Sequence, residues 1–262
     1  MEKRSLGYGV FVFWVLFYVV FFSVFTFGIA LIFYAITIPF AFSAWAEILW
    51  RKLSGVRPLR LRSEKQRLYP LFSQVYQEAE KSNPDLNKDI GIYIKEDMDI
   101  NAYAFGRRTL VLTRGSIELL NDDCLKGLIA HELGHFANKD TIMFMLYTVG
   151  NLFLSLILEG LNKMRRSRNG KGSIISVFFN ILYIIPRGIQ YIGDLILMRY
   201  NRRHEYMADA FAVNSGFGSN LADVLIQIYQ VSIEKPQTIK EQLKSTHPPI
   251  TKRIEEIEKV IY

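Results

Sequence analysis

The sequence predicts a mainly α chain with a small β-sheet and about four hydrophobic, membrane-embedded helical segments. Three observations lead there. No charged residue occurs from Ser5 to Ala46. Three short strand-like runs cluster between residues 90 and 113, and apolar residues at helical spacing frame them on both sides. The 262 residues suffice for one soluble domain of ordinary size plus some membrane-embedded helix.

A membrane crossing needs about 20 apolar residues, so residues 5–46 hold two helices joined by a turn near Ser23 to Gly28. Lys3-Arg4 and Ala44-Trp45-Ala46 resemble the two ends of a signal peptide. The apolar region of such a peptide runs only about 7–15 residues, and this block far exceeds that. Next, Leu71, Phe72, Val75, Tyr76 and Ala79 give Tyr69–Lys81 one apolar helical face. Pro70 fits the first turn of that helix, and Asn83-Pro84-Asp85 ends it. Strands are expected at Ile90–Ile94, Ile100–Phe105 and Thr109–Thr113, the last two forming a hairpin around Gly106-Arg107. Asn121 or Asp122 caps a helix running to about Asn138.

A second hydrophobic pair follows. Ile142–Leu158 is uncharged and long enough to span, whereas Ser173–Ile185 is short and precedes Pro186, Arg187 and Asp194. Those two charges share a helical face and are expected to point into protein. The segment reads as a shielded span, a re-entrant element or an interfacial helix. Leu195–Asn214 is a helix stopped at Gly216, and Ile250–Val260 closes the chain as a charged helix. The resulting organisation is a membrane hairpin (5–46), a first catalytic part (51–140), a second hydrophobic pair (141–199) and a second catalytic part (200–262).

Lys and Arg number 32 against 25 Asp and Glu, a formal charge of +7. Many positives flank the apolar blocks: Lys3 and Arg4, then Arg51, Lys52 and Arg57, then Arg199, Arg202 and Arg203. That placement favours a lipid bilayer as partner over nucleic acid. It also puts the amino terminus and the stretch after Ala46 in the cytoplasm. The basic connector from Asn162 to Gly172 resists that orientation if the second pair crosses fully. Cys124 is the single cysteine, which excludes an intrachain disulfide and a multi-cysteine zinc site.

The chemistry centres on His131-Glu132-Leu133-Gly134-His135. Histidines four apart share a helix face and can reach one zinc ion. Glu132, about 100° round the helix from His131, stands beside the open position as a general base. Gly134 in a helix interior costs about 1 kcal/mol relative to Ala but lets another element pass close. A third protein ligand is required. The metzincin pattern would place glycine at 138 and histidine at 141, where this chain has Asn138 and Thr141. A gluzincin takes a later glutamate with an aspartate four residues on, and Glu205 and Asp209 supply that pair. Asp209 would accept a hydrogen bond from a ligand histidine, His131 above all, and fix its tautomer. Rival ligands fare worse: Asp140 is too close along the chain, Glu159 sits at a membrane end, and His204 points away from Glu205.

These residues, with Asn101-Ala102-Tyr103-Ala104, Arg202 through Asp209, Thr246-His247-Pro248-Pro249 and Arg253, resemble the HtpX-type membrane gluzincins, relatives of the CAAX prenyl endopeptidases. Asn201 departs from the serine frequent there. The resemblance implies an α+β zincin-like catalytic domain holding one zinc ion per chain. It implies a multi-pass protein of the cytoplasmic membrane, its active site facing the cytoplasm, that cleaves misfolded or damaged membrane proteins. It further implies that Asn101, Ala102 and Tyr103 lie on an edge strand that pairs with extended polypeptide. It places His247 near the zinc, stabilising the oxyanion or binding substrate backbone. Arg253 is expected to support the fold through a salt bridge. A narrow-specificity processing peptidase and a membrane sensor with a zinc site are the alternatives. Glu132 argues against the sensor, since a structural site needs no base. Oligomeric state is not legible in the sequence.

Overall fold

A computed structural model describes residues 13–14, 16–17, 20, 29–168, 174–233 and 248–261. The chain divides into two compact units, one of Met1–Phe42 with Phe144–Tyr200, the other of Ser43–Met143 with Asn201–Tyr262.

In the first unit, α1 spans Ile29–Ala41. The earlier part of the expected hairpin, including its turn, lies largely outside the described residues. Two longer helices contribute most of their length here, α6 (Asp140–Arg168) and α7 (Ile174–Asn214). Ile142–Leu158 lies within α6, which continues helically to Arg168, so much of the expected connector is helix instead. Leu195–Asn214 is not a separate helix but the end of α7. Arg187 is exposed along its length but donates from Nη1 to Oε1 of the buried Gln190 at 2.6 Å, and Asp194 is half-buried. Among the described residues, no helix is long and apolar enough to cross a membrane.

The second unit is built on a four-stranded sheet of order β1-β2-β4-β3, with β1 at Val56–Pro58, β2 at Gly91–Lys95, β3 at Ala102–Phe105 and β4 at Thr109–Thr113. β2 and β4 are parallel, and the outer pairs are antiparallel. β4 is buried along its whole length, as a central strand of apolar and threonine residues should be. β3 turns into β4 through Gly106 at φ 62°, a backbone that favours glycine. A Cβ there would also meet the Glu47 carboxyl at 2.5 Å. Glu47 belongs to α2 (Ala44–Leu53) and clamps the turn, accepting from Arg107 N at 2.6 Å and Thr109 Oγ1 at 2.9 Å. From the same helix, Trp50 stacks on Phe105 with ring centroids 3.8 Å apart and meets Tyr103 edge-on at 5.8 Å.

Helix α3 runs over Arg62–Ser82, starting seven residues before the expected Tyr69. Glu64 explains the difference. Its carboxylate accepts from Arg60 N and Leu61 N at 3.0 and 3.2 Å, satisfying donors at the helix start. Pro70 then sits inside the helix on its exposed side, where the helical N–H it lacks costs least. Leu68, Leu71, Val75 and Ala79 are buried, and Phe72 and Tyr76 pack against the same core. A short α4 (Arg114–Leu119) follows β4. Helix α5 spans Asp122–Asn138, with Asn121 as its N-cap accepting from Cys124 N at 2.8 Å. Helices α8 (Gly218–Ile233) and α9 (Ile250–Ile261) complete the unit, α8 packing against both α5 and α9.

Candidate active site

Helix α5 carries the centre. The ligand-capable atoms of His131, Glu132 and His135 lie within 4.8 Å of one another, and His131 and Glu132 are buried. The end of α7 brings in the buried Glu205, whose Oε2 is 3.6 Å from His131 Nε2 and whose Oε1 is 3.7 Å from His135 Nε2. Gly134 makes this approach possible, since a Cβ there would stand 2.9 Å from Ala208 Cα and 3.1 Å from Phe211 Cβ.

Both imidazoles are gripped from behind. His131 Nδ1 lies 2.9 Å from Asp209 Oδ1, and His135 Nδ1 lies 3.0 Å from Asp140 Oδ2. In the neutral form that binds a metal, a ring that gives its Nδ1–H to a carboxylate carries its lone pair on Nε2, and both Nε2 atoms face Glu205. Arg253, buried on α9, donates from Nε and Nη2 to the two oxygens of Asp209 at 2.8 and 2.6 Å. Its Nη1 reaches Glu205 Oε2 at 3.0 Å. Arg253 therefore makes the expected salt bridge, within the site itself.

The charge balance of this cluster acts on its titrating groups. Burial disfavours a charged His135, yet the Asp140 hydrogen bond and the carboxylates of Glu132 and Glu205 prevail, raising it to about 9. Burial would lift the Asp209 carboxyl, but His131 and Arg253 together hold it below its ordinary range. Burial likewise disfavours charge on Arg253, and Asp209 outweighs it, with further help from Glu205 and Glu132.

The geometry fits a metal ion. Imidazole-to-carboxylate distances of 3.6 and 3.7 Å are long for direct hydrogen bonds. They approach the spacing of tetrahedral ligands about 2.1 Å from zinc, which stand about 3.4 Å apart. Two imidazole nitrogens and a carboxylate oxygen form a donor set typical of a catalytic zinc.

Asp140 and His204, weighed above only as ligands, do something else. Asp140 lies behind His135, and its Oδ1 contacts His204 Nδ1. The signal that would have found this is conformational. Lys139 ends α5 in the left-handed region at φ 62°, which returns the next residue toward the last turn of the helix. Asn101 immediately precedes β3, and Ala102 and Tyr103 are its first two residues, on an edge strand that packs against α5. The Asn101 backbone is fixed by Thr113 and Ser116, its N–H donating to Ser116 Oγ at 2.8 Å and its carbonyl accepting from Thr113 N at 3.1 Å. Ala102 is buried, while Tyr103 is half-buried. His247 lies outside the described residues.

Residues 63–261 match the family described as Peptidase family M48. The chain belongs to peptidase family M48. The match takes in every residue of this centre, and the M48 chain has close company among curated proteins. A Protease HtpX homolog of Bacteroides fragilis is 30% identical over 233 residues, covering 77% of this chain and 70% of that one. A Protease HtpX homolog of Thermoanaerobacter pseudethanolicus is 30% identical over 196 residues, covering 63% and 64%. The crystal structure of S. mikatae Ste24p shares the fold, with a TM-score of 0.57 at 18% identity, covering 98% of this chain and 64% of that one. The M48 chain is thus a metallopeptidase of the HtpX type, and its substrates are polypeptides.

Proposed function

We propose that this M48 chain is a membrane-bound zinc endopeptidase in which His131, His135 and Glu205 hold the ion and Glu132 is the general base. The observation that carries the assignment is the convergence of two Nε2 atoms on one carboxylate, at 3.6 and 3.7 Å, with both Nδ1 atoms engaged elsewhere. Zinc, when bound, polarises the scissile carbonyl and lowers the pKa of water. Glu132 takes a proton from the water as its oxygen attacks the carbonyl carbon. It then delivers that proton to the amine nitrogen as the C–N bond breaks. Asp209 and Arg253 keep His131 aligned through these steps.

The substrate enters as an extended strand beside β3. Support comes from the position of β3 at the sheet edge against the histidine-bearing helix, where main-chain pairing gives affinity without demanding one sequence. Such pairing suits unfolded polypeptide, in keeping with quality control of misfolded membrane proteins. The uncharged stretch from Ser5 to Ala46 and the HtpX-type resemblance support attachment to the cytoplasmic membrane with the site facing the cytoplasm. His247, immediately before Pro248-Pro249 and the helix carrying Arg253, is assigned to the oxyanion or substrate backbone on the resemblance.

The test is zinc content and casein cleavage by detergent-purified protein. Wild type should hold about one zinc and cleave, Glu132→Gln should hold zinc without cleaving, and Glu205→Ala should lose zinc. Zinc retained by Glu205→Ala would displace the third ligand, and full activity in Glu132→Gln would remove the base. A broad cleavage pattern on unfolded membrane proteins separates quality control from narrow processing. An unaltered rate in His247→Ala would remove that residue from the site.

A further inference from the structure

We infer that His204 is a positioning residue for the metal centre, acting through Asp140 on His135. The inference rests on the proposed ligand set. Asp140 uses its two oxygens separately: Oδ2 lies 3.0 Å from His135 Nδ1, and Oδ1 contacts His204 Nδ1. The three side chains are largely shielded from solvent, with 15% exposure at His135, 11% at Asp140 and 10% at His204. A carboxylate bonded through one oxygen can turn about its last torsion, and the imidazole it holds turns with it. Anchoring the second oxygen fixes the carboxylate plane, and with it the direction in which His135 Nε2 points.

The arrangement repeats the design on the other ligand histidine. There Arg253 anchors Asp209 through both oxygens, and Asp209 Oδ1 holds His131 Nδ1. In each arm a basic side chain anchors a carboxylate, and the carboxylate orients an imidazole. His204 is next to Glu205 on α7 but turns about 100° from it, so one helix supplies a ligand on one side and an anchor on the other. This also accounts for a buried histidine that the peptidase chemistry does not use.

The test uses full-length protein in detergent, measuring zinc affinity by competition with a chromogenic chelator and thermal unfolding of the zinc-free form. Asp140→Asn should weaken zinc about 10–100-fold, and His204→Ala by a smaller factor. The double variant should bind zinc no more weakly than Asp140→Asn alone, because the two residues act in series. His204→Asn, which keeps an N–H donor near the Nδ1 position, should recover affinity relative to His204→Ala and guards against a misfolded alanine variant. Wild-type affinity in His204→Ala overturns the inference, as does a double variant whose loss is the product of the two single losses. If Glu205→Ala keeps its zinc, the ligand set itself fails. If Glu205→Ala loses zinc while His204→Ala binds it normally, only the His204 arm fails.

Discussion

Two charge clusters in the catalytic unit use the same functional groups to opposite ends. At the start of α3, Arg57 and Arg114 clasp Glu64 and Glu96. Arg57 lies 2.6 Å from Glu64 and 2.7 Å from Glu96, and Arg114 lies 3.0 and 2.9 Å from the same pair. At the histidine centre, the carboxylates of Glu132, Asp140, Glu205 and Asp209 gather around three imidazoles and Arg253. At its core the first cluster matches two cations to two anions, with the exposed Glu118 at its rim 3.7 Å from Arg114, and it fastens β1, the end of β2, α3 and α4 together. The second has carboxylates in excess, and a divalent cation is the charge that such an excess is suited to take. Balance makes a fastening, and imbalance makes a binding site.

Removing one carboxylate from each cluster should therefore give opposite results. Glu132→Gln should cost about a thousandfold in peptidase rate, yet the zinc-free protein should melt no lower than wild type, because a crowded negative charge has gone. A fall in both rate and melting temperature would mean that Glu132 also holds the fold. Glu64→Gln should do the reverse, destabilising by about 3 kcal/mol because it removes the buried charge that Arg57, Arg114 and the start of α3 share and leaves both arginines to the exposed Glu96, with the rate per folded molecule unchanged. Loss of specific activity in that variant would tie the two clusters together.

Acid should tell the clusters apart as well. Arg57 chiefly, with the backbone at Leu61 and Arg114, holds the Glu64 carboxyl far below its usual range. Arg114 first, then Arg57, brings the more exposed Glu96 to about 2. A folded-state pKa below the unfolded value adds stability that is complete above about pH 5 and drains away as acid reaches the folded pKa. Melting temperature should thus fall from about pH 5 toward pH 2, and Glu64→Gln should flatten that slope. An unchanged slope would place the acid sensitivity in other carboxylates.

How close the helices come decides whether the unbalanced cluster exists at all. Gly134→Ala gains helix propensity of about 1 kcal/mol but sets a methyl 2.9 Å from Ala208 Cα. Overpacking typically costs about 1–3 kcal/mol, so we expect a net loss, with zinc weakened as α7 and Glu205 are pushed away. Gly127→Ala is the matched control. Its Cβ would meet Leu221 N at 2.4 Å, away from the histidine centre, so stability should fall while the zinc affinity of the folded protein holds. Equal loss of zinc in both variants would show that α5 responds as one rigid body.

What was legible in the sequence follows the same division. Helix α5 could be read from Asn121 to Asn138, because a cap and a metal-binding spacing are local signals. The three main strands could be read from their β-branched and aromatic runs. β1 could not, because three residues ending in Pro58 carry no alternation. The start of α3 was hidden because Pro70 is a stronger local signal than Glu64, whose capping role depends on the fold around it. Helix α7 was divided because charge and proline interrupt its apolar pattern, although neither stops a helix. Glu205 and Asp209 were legible as a spaced pair. Asp140 was not, because sequence separation measured its nearness to His135 but not the turn that aims it.

That turn yields the smallest expected effect. Lys139 is exposed and, among the described residues, alone of the non-glycine residues has a positive φ. A side chain there costs about 1–2 kcal/mol relative to the right-handed region, and glycine escapes most of it. Lys139→Gly should therefore raise stability by about 1 kcal/mol, with the Asp140–His135 contact and zinc affinity intact. Nothing comparable occurs at the Arg57–Glu64 cluster, where no described residue has a positive φ apart from the nearby Gly55. Thermal unfolding and chelator competition on the same preparation decide the matter. Greater stability with unchanged zinc would mean that only the backbone of Lys139 serves the site, through the direction it gives Asp140. Greater stability with weakened zinc would mean that the strain itself holds Asp140 against His135.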